Sequence, residues 1–148
     1  MEENIIIEKI ECVVRDSATE QIDHLRRGRV ERNFTTYLAN KLKPIFEDGT
    51  ITVDPFYNRH GDAAKRLNGS LIELDIAIHE QGVDHNNLVA IELETNNKPT
   101  RDDLWKIERL TKELDGYGYK LGLFVVSGIN DKAGEVIAME WYKNGKPL

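Results

Sequence analysis

The chain has 148 residues, 40% of them apolar and 31% charged, which is an ordinary composition for a folded globular protein. This length predicts one domain over residues 1–148, because two domains would each be too small for a substantial core. The formal net charge of −6 argues against a protein that coats nucleic acid non-specifically, although an enzyme can combine an acidic site with a basic rim.

Two further features restrict the class of protein. The single cysteine, Cys12, excludes an internal disulfide and a cysteine zinc site. The first residues, MEENIII, begin with acids and lack a long apolar region, so no signal peptide is expected. No apolar run reaches the roughly 20 residues of a membrane span, and a cytoplasmic protein is therefore predicted.

The first part of the chain predicts two helices separated by a basic stretch. Apolar residues at helical spacing indicate the first helix over 4–15, although a strand through 5–7 would also fit. The second helix is predicted over 29–46. Glu31 lies almost two turns before Leu38, on the flank of the apolar stripe, so its carboxylate should reach solvent, find a partner or serve a site. The basic stretch is either a solvated face or a patch that contacts phosphate groups, and it contains Arg26, Arg27, Arg29 and Arg32.

Residues 51–94 predict three successive strands. The first, over 51–57, contains Pro55 and should be an edge or bulged strand, and a long polar connection over 58–70 follows it. Two strands are predicted in 71–94, because side chains alternate between the faces of a strand. Asp75 on the earlier strand can then share a face with Glu92 and Glu94 on the later one. Such carboxylates repel each other and the pKa of each rises unless a cation intervenes, so a hard ion such as Mg²⁺ is expected.

A different interpretation of the same acids remains open. Together with Glu73 they are also typical of the solvated face of an amphipathic hairpin. His79 shares the predicted face of Asp75 and is either a further ligand or an ordinary hydrogen-bonded histidine.

The last third of the chain predicts a helix, a strand and a final helix. Thr100 is expected to cap a helix that ends near 114, and the nearly continuous apolar run over 119–127 indicates a strand covered on both faces. Asn130 or Asp131 would cap the final helix, which would bury Val136 and Ile137. The complete order predicts an α/β domain with a mixed four-stranded sheet flanked by helices. The strand reached through a helical crossover should lie parallel to the strand before that helix.

That order, with acids at these places, resembles the PD-(D/E)xK nuclease superfamily, whose restriction-endonuclease-like core has the order αβββαβ. Its signature is an acid on the second core strand and (D/E)-x-K on the third. Asp75 stands within Leu74-Asp75-Ile76, where the family often has Pro-Asp, and Glu92-Leu93-Glu94 stands where the family has (D/E)-x-K. Glu31 matches a Glu that many members direct into the site from the preceding helix. The resemblance covers about residues 22–143.

The resemblance implies metal-dependent phosphodiester hydrolysis of DNA. Asp75, Glu92 and the backbone carbonyl of Leu93 would bind Mg²⁺ or Mn²⁺. Glu94 would join the metal shell or accept a proton from water, and Glu31 would be a ligand of a second metal or support the first. A homodimer is expected by analogy. The side chains expected to line the groove and contact phosphates are Arg59, His60, Lys65, Arg66, Lys98 and Arg101.

One departure from the family pattern matters, because Glu94 stands in place of the signature lysine. Some restriction endonucleases carry Glu there and use it as a ligand or a base. Alternatively, a lysine enters the site from elsewhere: Lys98 is the first candidate, Lys120 the second, and Lys106 the last because it should point away from the face of Leu104. If neither holds, the domain is an inactive relative that binds nucleic acid or protein, or a dimeric interaction module without a nucleic-acid role.

Overall fold

The computed structural model describes residues 1–28, 31–60, 63–64, 66–67, 70–83, 85–102, 104–113 and 117–148, with the backbone alone at 59–60, 63–64, 66–67 and 70–71. Its helices are α1 (Glu3–Glu20), α2 (Ile22–Leu25), α3 (Glu31–Phe46) and α4 (Leu104–Thr111). The strands before α4 are β1 (Thr52–Tyr57), β2 (Arg59–His60), β3 (Ala63–Ala64), β4 (Arg66–Leu67), β5 (Ser70–Leu71), β6 (Leu74–His79) and β7 (Asn87–Thr95). The strands after it are β8 (Leu121–Ser127), β9 (Val136–Lys143) and β10 (Lys146–Pro147).

A mixed sheet of six strands forms the centre of the fold, in the order β1-β6-β7-β8-β9-β10. Only β7 and β8 are parallel in this sheet, from the pair Val89–Leu121 to the pair Thr95–Ser127. The chain passes through α4 between these two strands, so the predicted parallel pairing across a helical crossover is confirmed. The prediction of a mixed α/β domain is confirmed as well, but the sheet has six strands and not four.

Helices cover both faces of this sheet. On one face α1 and α3 pack against the strands, with Phe34 and Leu38 of α3 in the same buried cluster as Ile91. On the other face, Ile107 of α4 packs in a cluster with Ala90. Every residue of β8 is buried, as expected for a strand that is covered on both sides.

The close approach of α4 to the sheet depends on a glycine. A Cβ atom at Gly122 of β8 would lie 2.7 Å from Cγ2 of Thr111 and 2.8 Å from Cγ2 of Ile107, and both residues belong to α4. Because only glycine leaves that space, α4 can lie directly on β8, and side chains of its neighbouring positions can reach β7.

The predicted final helix is wrong. Asn130–Lys132 forms a single 3₁₀ turn, Gly134 has a φ of 95°, and the chain then enters β9, which pairs antiparallel with β8. The sequence of β9, VIAMEWYK, is rich in β-branched and aromatic residues, which favour a strand. β9 also supplies hydrogen-bond partners to an edge of β8 that would otherwise be open.

The other elements lie near their predicted positions, with small differences. The 58–70 connection contains the short ladders β2–β3 and β4–β5. Thr100 does not cap a helix, because α4 begins at Leu104 and the hydroxyl of Thr100 bonds to Glu94. None of the helices in the described ranges is long and apolar enough to cross a membrane.

Candidate active site

The site lies where β6 and β7 part from each other. Their antiparallel pairing extends to Ile76 and Ile91, which leaves Asp75 and Glu92 just beyond the last pair. There the backbone N–H of Leu93 donates a hydrogen bond to a side chain instead of to the backbone of β6. The acceptor is Oδ2 of Asp75, at 2.7 Å. The carboxylate of Asp75 is therefore fixed directly beside the next residues of β7.

The parted strands border a cleft of about 310 Å³. It contains every acid that the sequence placed at a metal site, and it also contains Leu93. Leu93 has its side chain in the core on the opposite face, so its backbone faces the cleft. The residues that line the cleft are Glu31, Asp75, Glu92, Leu93, Glu94, Thr95, Asn96, Thr100 and Lys106.

These acids do not form the solvated face of a bare hairpin. Ala77 and Ala90, which share their face of the sheet, are fully buried under α4. The side chain of Glu92 is only 5% exposed. A carboxylate at that depth needs a compensating charge or hydrogen bonds, so this face of the sheet is an acidic cleft under a helix and not an ordinary wet surface.

The compensating charge comes from Lys106. Its Nζ lies 3.7 Å from Oε2 of Glu92, and the lysine side chain is itself only 17% exposed. Lys106 is one turn before the buried Leu110 on α4, so it lies on the side of the helix that faces the sheet. The ranking of Lys106 as the last candidate was wrong. Leu104 does pack against the cluster of Ile107 and Leu110, but the side of α4 that faces the sheet also includes Lys106.

The two lysines ranked higher lie elsewhere. Lys120 donates its backbone N–H to the carbonyl of Asn87, at the opposite end of β7 from the cleft. Lys98 is exposed in the segment between β7 and α4, and it is not among the residues that line the cleft. Of the three candidates, Lys106 alone places its ammonium group beside a carboxylate of the cleft.

Glu31 and Glu94 hold the borders of the cleft through backbone donors. Oε1 of Glu31, at the start of α3, accepts a 3.2 Å hydrogen bond from the N–H of Thr95. Glu94 accepts a 3.3 Å bond from the N–H of Thr100 and a second bond from the Thr100 hydroxyl. The first contact ties α3 to the end of β7, and the second fixes the segment that leads into α4.

The donor atoms of the cleft fit a hard divalent ion. Among the described residues, no group of three His, Cys, Asp or Glu side chains is close enough to hold a metal by itself. Mg²⁺, however, is usually held by one or two carboxylates while it keeps several waters. Asp75 and Glu92, adjacent across the parted strands, supply carboxylate oxygens of that kind, and Leu93, which also lines the cleft, has a backbone carbonyl as a further oxygen donor.

The predicted phosphate-contacting residues have different outcomes. Arg101 is exposed but forms a 2.8 Å ion pair with Glu140, which raises the pKa of the guanidinium above its usual value. Lys98 is exposed and does not line the cleft, but its backbone N–H donates to Oδ1 of Asn96, which does. The predictions for Arg59, His60, Lys65 and Arg66 fall outside the residues whose side chains the structure describes.

His79 lies at the opposite end of β6 from Asp75, away from the cleft. It is buried, and its Nε2 is 2.9 Å from Oδ2 of Asp54. Burial alone would raise the pKa of Asp54, but hydrogen bonds from Thr52, Gln81 and His79 outweigh burial and lower the pKa below its ordinary value. His79 is therefore a hydrogen-bonded core histidine.

Comparisons of the sequence with known proteins found no match, so a function must be inferred from the geometry of the cleft. No protein-family model matches the chain, and no curated protein is significantly similar to it in sequence.

Proposed function

We propose that the chain is a PD-(D/E)xK-like nuclease domain that hydrolyses phosphodiester bonds of DNA with Mg²⁺ or Mn²⁺. The observation that carries this proposal is the convergence of Glu31, Asp75, Glu92 and Lys106 on one cleft. These residues come from α3, β6, β7 and α4, so widely separated parts of the sequence supply the chemical groups that the reaction needs.

The topology supports the same proposal. α3 precedes β1, β6 and β7, which are neighbours in antiparallel order, and α4 then leads to the parallel strand β8. This is the arrangement expected of an αβββαβ restriction-endonuclease-like core with a four-stranded mixed sheet. β9 and β10 would then extend that core beyond β8.

Each residue of the cleft has a chemical role in this proposal. Asp75, Glu92 and the Leu93 carbonyl would hold Mg²⁺ or Mn²⁺. A bound ion of this kind lowers the pKa of a coordinated water and offsets negative charge on the phosphate. Lys106 would take the place of the signature lysine, because its ammonium group can orient a water or stabilise the developing charge at the phosphate. Glu31 and Glu94 would keep α3 and the segment before α4 at the cleft, and Glu31 would support the metal site or bind a second metal.

A plasmid-nicking assay with Mg²⁺ or Mn²⁺ tests the proposal. Asp75→Ala and Glu92→Gln should abolish nicking, and Asp75→Ala should also abolish binding of the ion in a calorimetric titration. Glu73→Ala is the matched control, because Glu73 is exposed two positions from Asp75 and does not line the cleft. If the wild type neither nicks DNA nor binds either ion, the proposal is wrong. Since one proposed active site would cut one strand, a homodimer is proposed for cleavage of both strands.

A second candidate is a catalytically inactive relative that binds DNA or a protein. The use of Glu94 favours it, because this residue replaces the signature lysine and its carboxylate is engaged by Thr100. Binding of DNA at low salt without uptake of metal and without nicking would identify this second function.

A further inference from the structure

An arginine and an aromatic ring form a stacked pair beside the cleft. Cζ of Arg32, the second residue of α3, lies 3.7 Å from the centroid of the Phe56 ring in β1. Arg32 is exposed, and within the described part of the chain it forms no ion pair. By contrast, Arg15 and Arg101 pair with Glu11 and Glu140. Arg32 is therefore a surface cation whose position is set by an aromatic ring and whose charge is not compensated by a carboxylate.

The pair borders the cleft on the side of α3 and β1. Arg32 directly follows Glu31, which lines the cleft. β1 pairs with β6 at Pro55–Ile76 and again at Tyr57–Leu74, so Phe56 lies between these pairs, opposite Asp75. Arg32 is thus next in the chain to Glu31, and Phe56 lies across the sheet from Asp75. Both Glu31 and Asp75 line the cleft.

The backbone of Phe56 is strained in a way that presents its ring to Arg32. Phe56 has a φ of 55°, in the left-handed region that a bulky residue rarely adopts. Backbone strain of this kind persists only where the surroundings impose it, and it occurs often at binding sites. The ladder between β1 and β6 omits Phe56 but keeps the same register before and after it, so the departure from regular strand geometry is confined to this residue.

We propose that Arg32, held in place by Phe56, binds a backbone phosphate of the DNA next to the one in the cleft. A guanidinium group that stacks by its face keeps the N–H groups along its edge directed outward, and these can grip two phosphate oxygens at once. The inference rests on the proposed nuclease function, because it assigns the phosphate site to a strand that runs through that cleft. Phe56 acts as the positioning residue.

Binding of a fluorescein-labelled DNA duplex, with Ca²⁺ in place of Mg²⁺ and at several salt concentrations, tests this assignment separately from cleavage. Arg32→Ala should weaken binding about tenfold, the loss of one charged contact. It should also reduce the slope of log K against log salt by about 0.9, the value for one phosphate. Phe56→Leu should weaken binding but leave that slope unchanged, since the arginine charge remains. Arg32→Lys should keep the slope and bind less tightly than the wild type.

Arg15→Ala is the control, because Arg15 is exposed on α1 and already pairs with Glu11. If Arg32→Ala binds as tightly as Arg15→Ala while the wild type nicks DNA, this inference is overturned and the nuclease proposal stands. If the wild type does not bind DNA even at low salt, both are overturned. Thermal unfolding of each variant checks the fold, and the two Arg32 variants suffice if Phe56→Leu does not fold.

Discussion

Replacing Lys106 with Met should destabilise the protein by removing a cation that lies beside the buried carboxylate of Glu92. At their 3.7 Å separation, two unit charges attract by about 4 kcal/mol with an effective dielectric constant of about 20. Removing one partner of a buried pair costs about 3–5 kcal/mol. Because Lys106 keeps 17% exposure, water can replace part of the lost attraction, so about 2–3 kcal/mol is expected. For a domain of this size, the melting temperature should fall by roughly 4–12 °C.

A double-mutant cycle in urea isolates this pair. The variants are Lys106→Met, Glu92→Gln and the combination, with Lys98→Met as a control for the loss of an exposed lysine charge near the same cleft. The coupling free energy between Lys106 and Glu92 should exceed about 1 kcal/mol, and the double variant should be more stable than the sum of the single losses predicts. Lys98→Met should change stability by less than about 0.5 kcal/mol.

The effect of Mg²⁺ on the stability of these variants tests whether Glu92 belongs to the proposed metal site. If Glu92 is a metal ligand, the ion should stabilise Lys106→Met more than the wild type, because a divalent ion then supplies the missing positive charge. Melting curves with and without Mg²⁺ measure the difference. A coupling energy near zero would refute the assignment of Lys106 as the partner of Glu92, and an equal effect of Mg²⁺ on both proteins would refute the shared site.

Three other changes test the frame of the site. Gly122→Ala should lower the free energy of unfolding by about 1–3 kcal/mol, because its methyl group would overlap α4; unchanged stability in urea would mean that the helix can move away at no cost. Asp54 has a lowered pKa in the fold, so its contribution is complete above the unfolded pKa of about 3.9 and is lost as the pH falls through the folded pKa. Asp54→Asn should remove this part of the acid loss, and parallel curves of unfolding free energy against pH for the two proteins would contradict it. Phe56→Gly should be about 1 kcal/mol more stable than Phe56→Ala, because glycine adopts a positive φ without strain; equal stability in urea would show that no strain is stored there.

The acidic part of the site could be predicted from the sequence because strand geometry is regular. A period of two places Asp75 on one strand and Glu92 and Glu94 on the next on a shared face, and the antiparallel pairing of the two strands keeps them adjacent. The prediction that Glu31 lies at the site needed only one further condition, that its helix packs against the same strands. The predictions for the three strand acids depend on spacing within one element and on one antiparallel pairing, and the prediction for Glu31 depends on one helix packing against those strands.

Lys106 could not be predicted in the same way, because its position depends on contacts between elements. The face that α4 turns to the sheet is set by Ile107 and Leu110, and its depth is set by the missing side chain at Gly122. Leu104 also packs against this cluster, but taken alone as the centre of the buried side it directs Lys106 away from the sheet. Sequence spacing fixes the angles between the side chains of one helix, but contacts with other elements decide which of them face the sheet.

The final strand was predicted to be a helix because its sequence is compatible with both structures. Ala133, Val136 and Ile137 have helical spacing, but the segment from Val136 onwards also has the β-branched and aromatic composition of a strand. The contacts that decide between the two are distant in sequence: β8 has an edge to pair, and the positive φ at Gly134 redirects the chain toward it.

The cleft gathers four acids without losing its structure because each of them has a different partner. Backbone N–H groups of Leu93, Thr95 and Thr100 donate to Asp75, Glu31 and Glu94. Glu92, the most deeply buried of the four, has an ammonium group beside it. Three of these partners are backbone N–H groups, whose positions are fixed by the fold. The lysine side chain, in contrast, can change its conformation if a more highly charged cation binds. If the proposed metal binds, Glu92 is the carboxylate whose surroundings should change most, and the stability of Lys106 and Glu92 variants with and without Mg²⁺ measures that exchange.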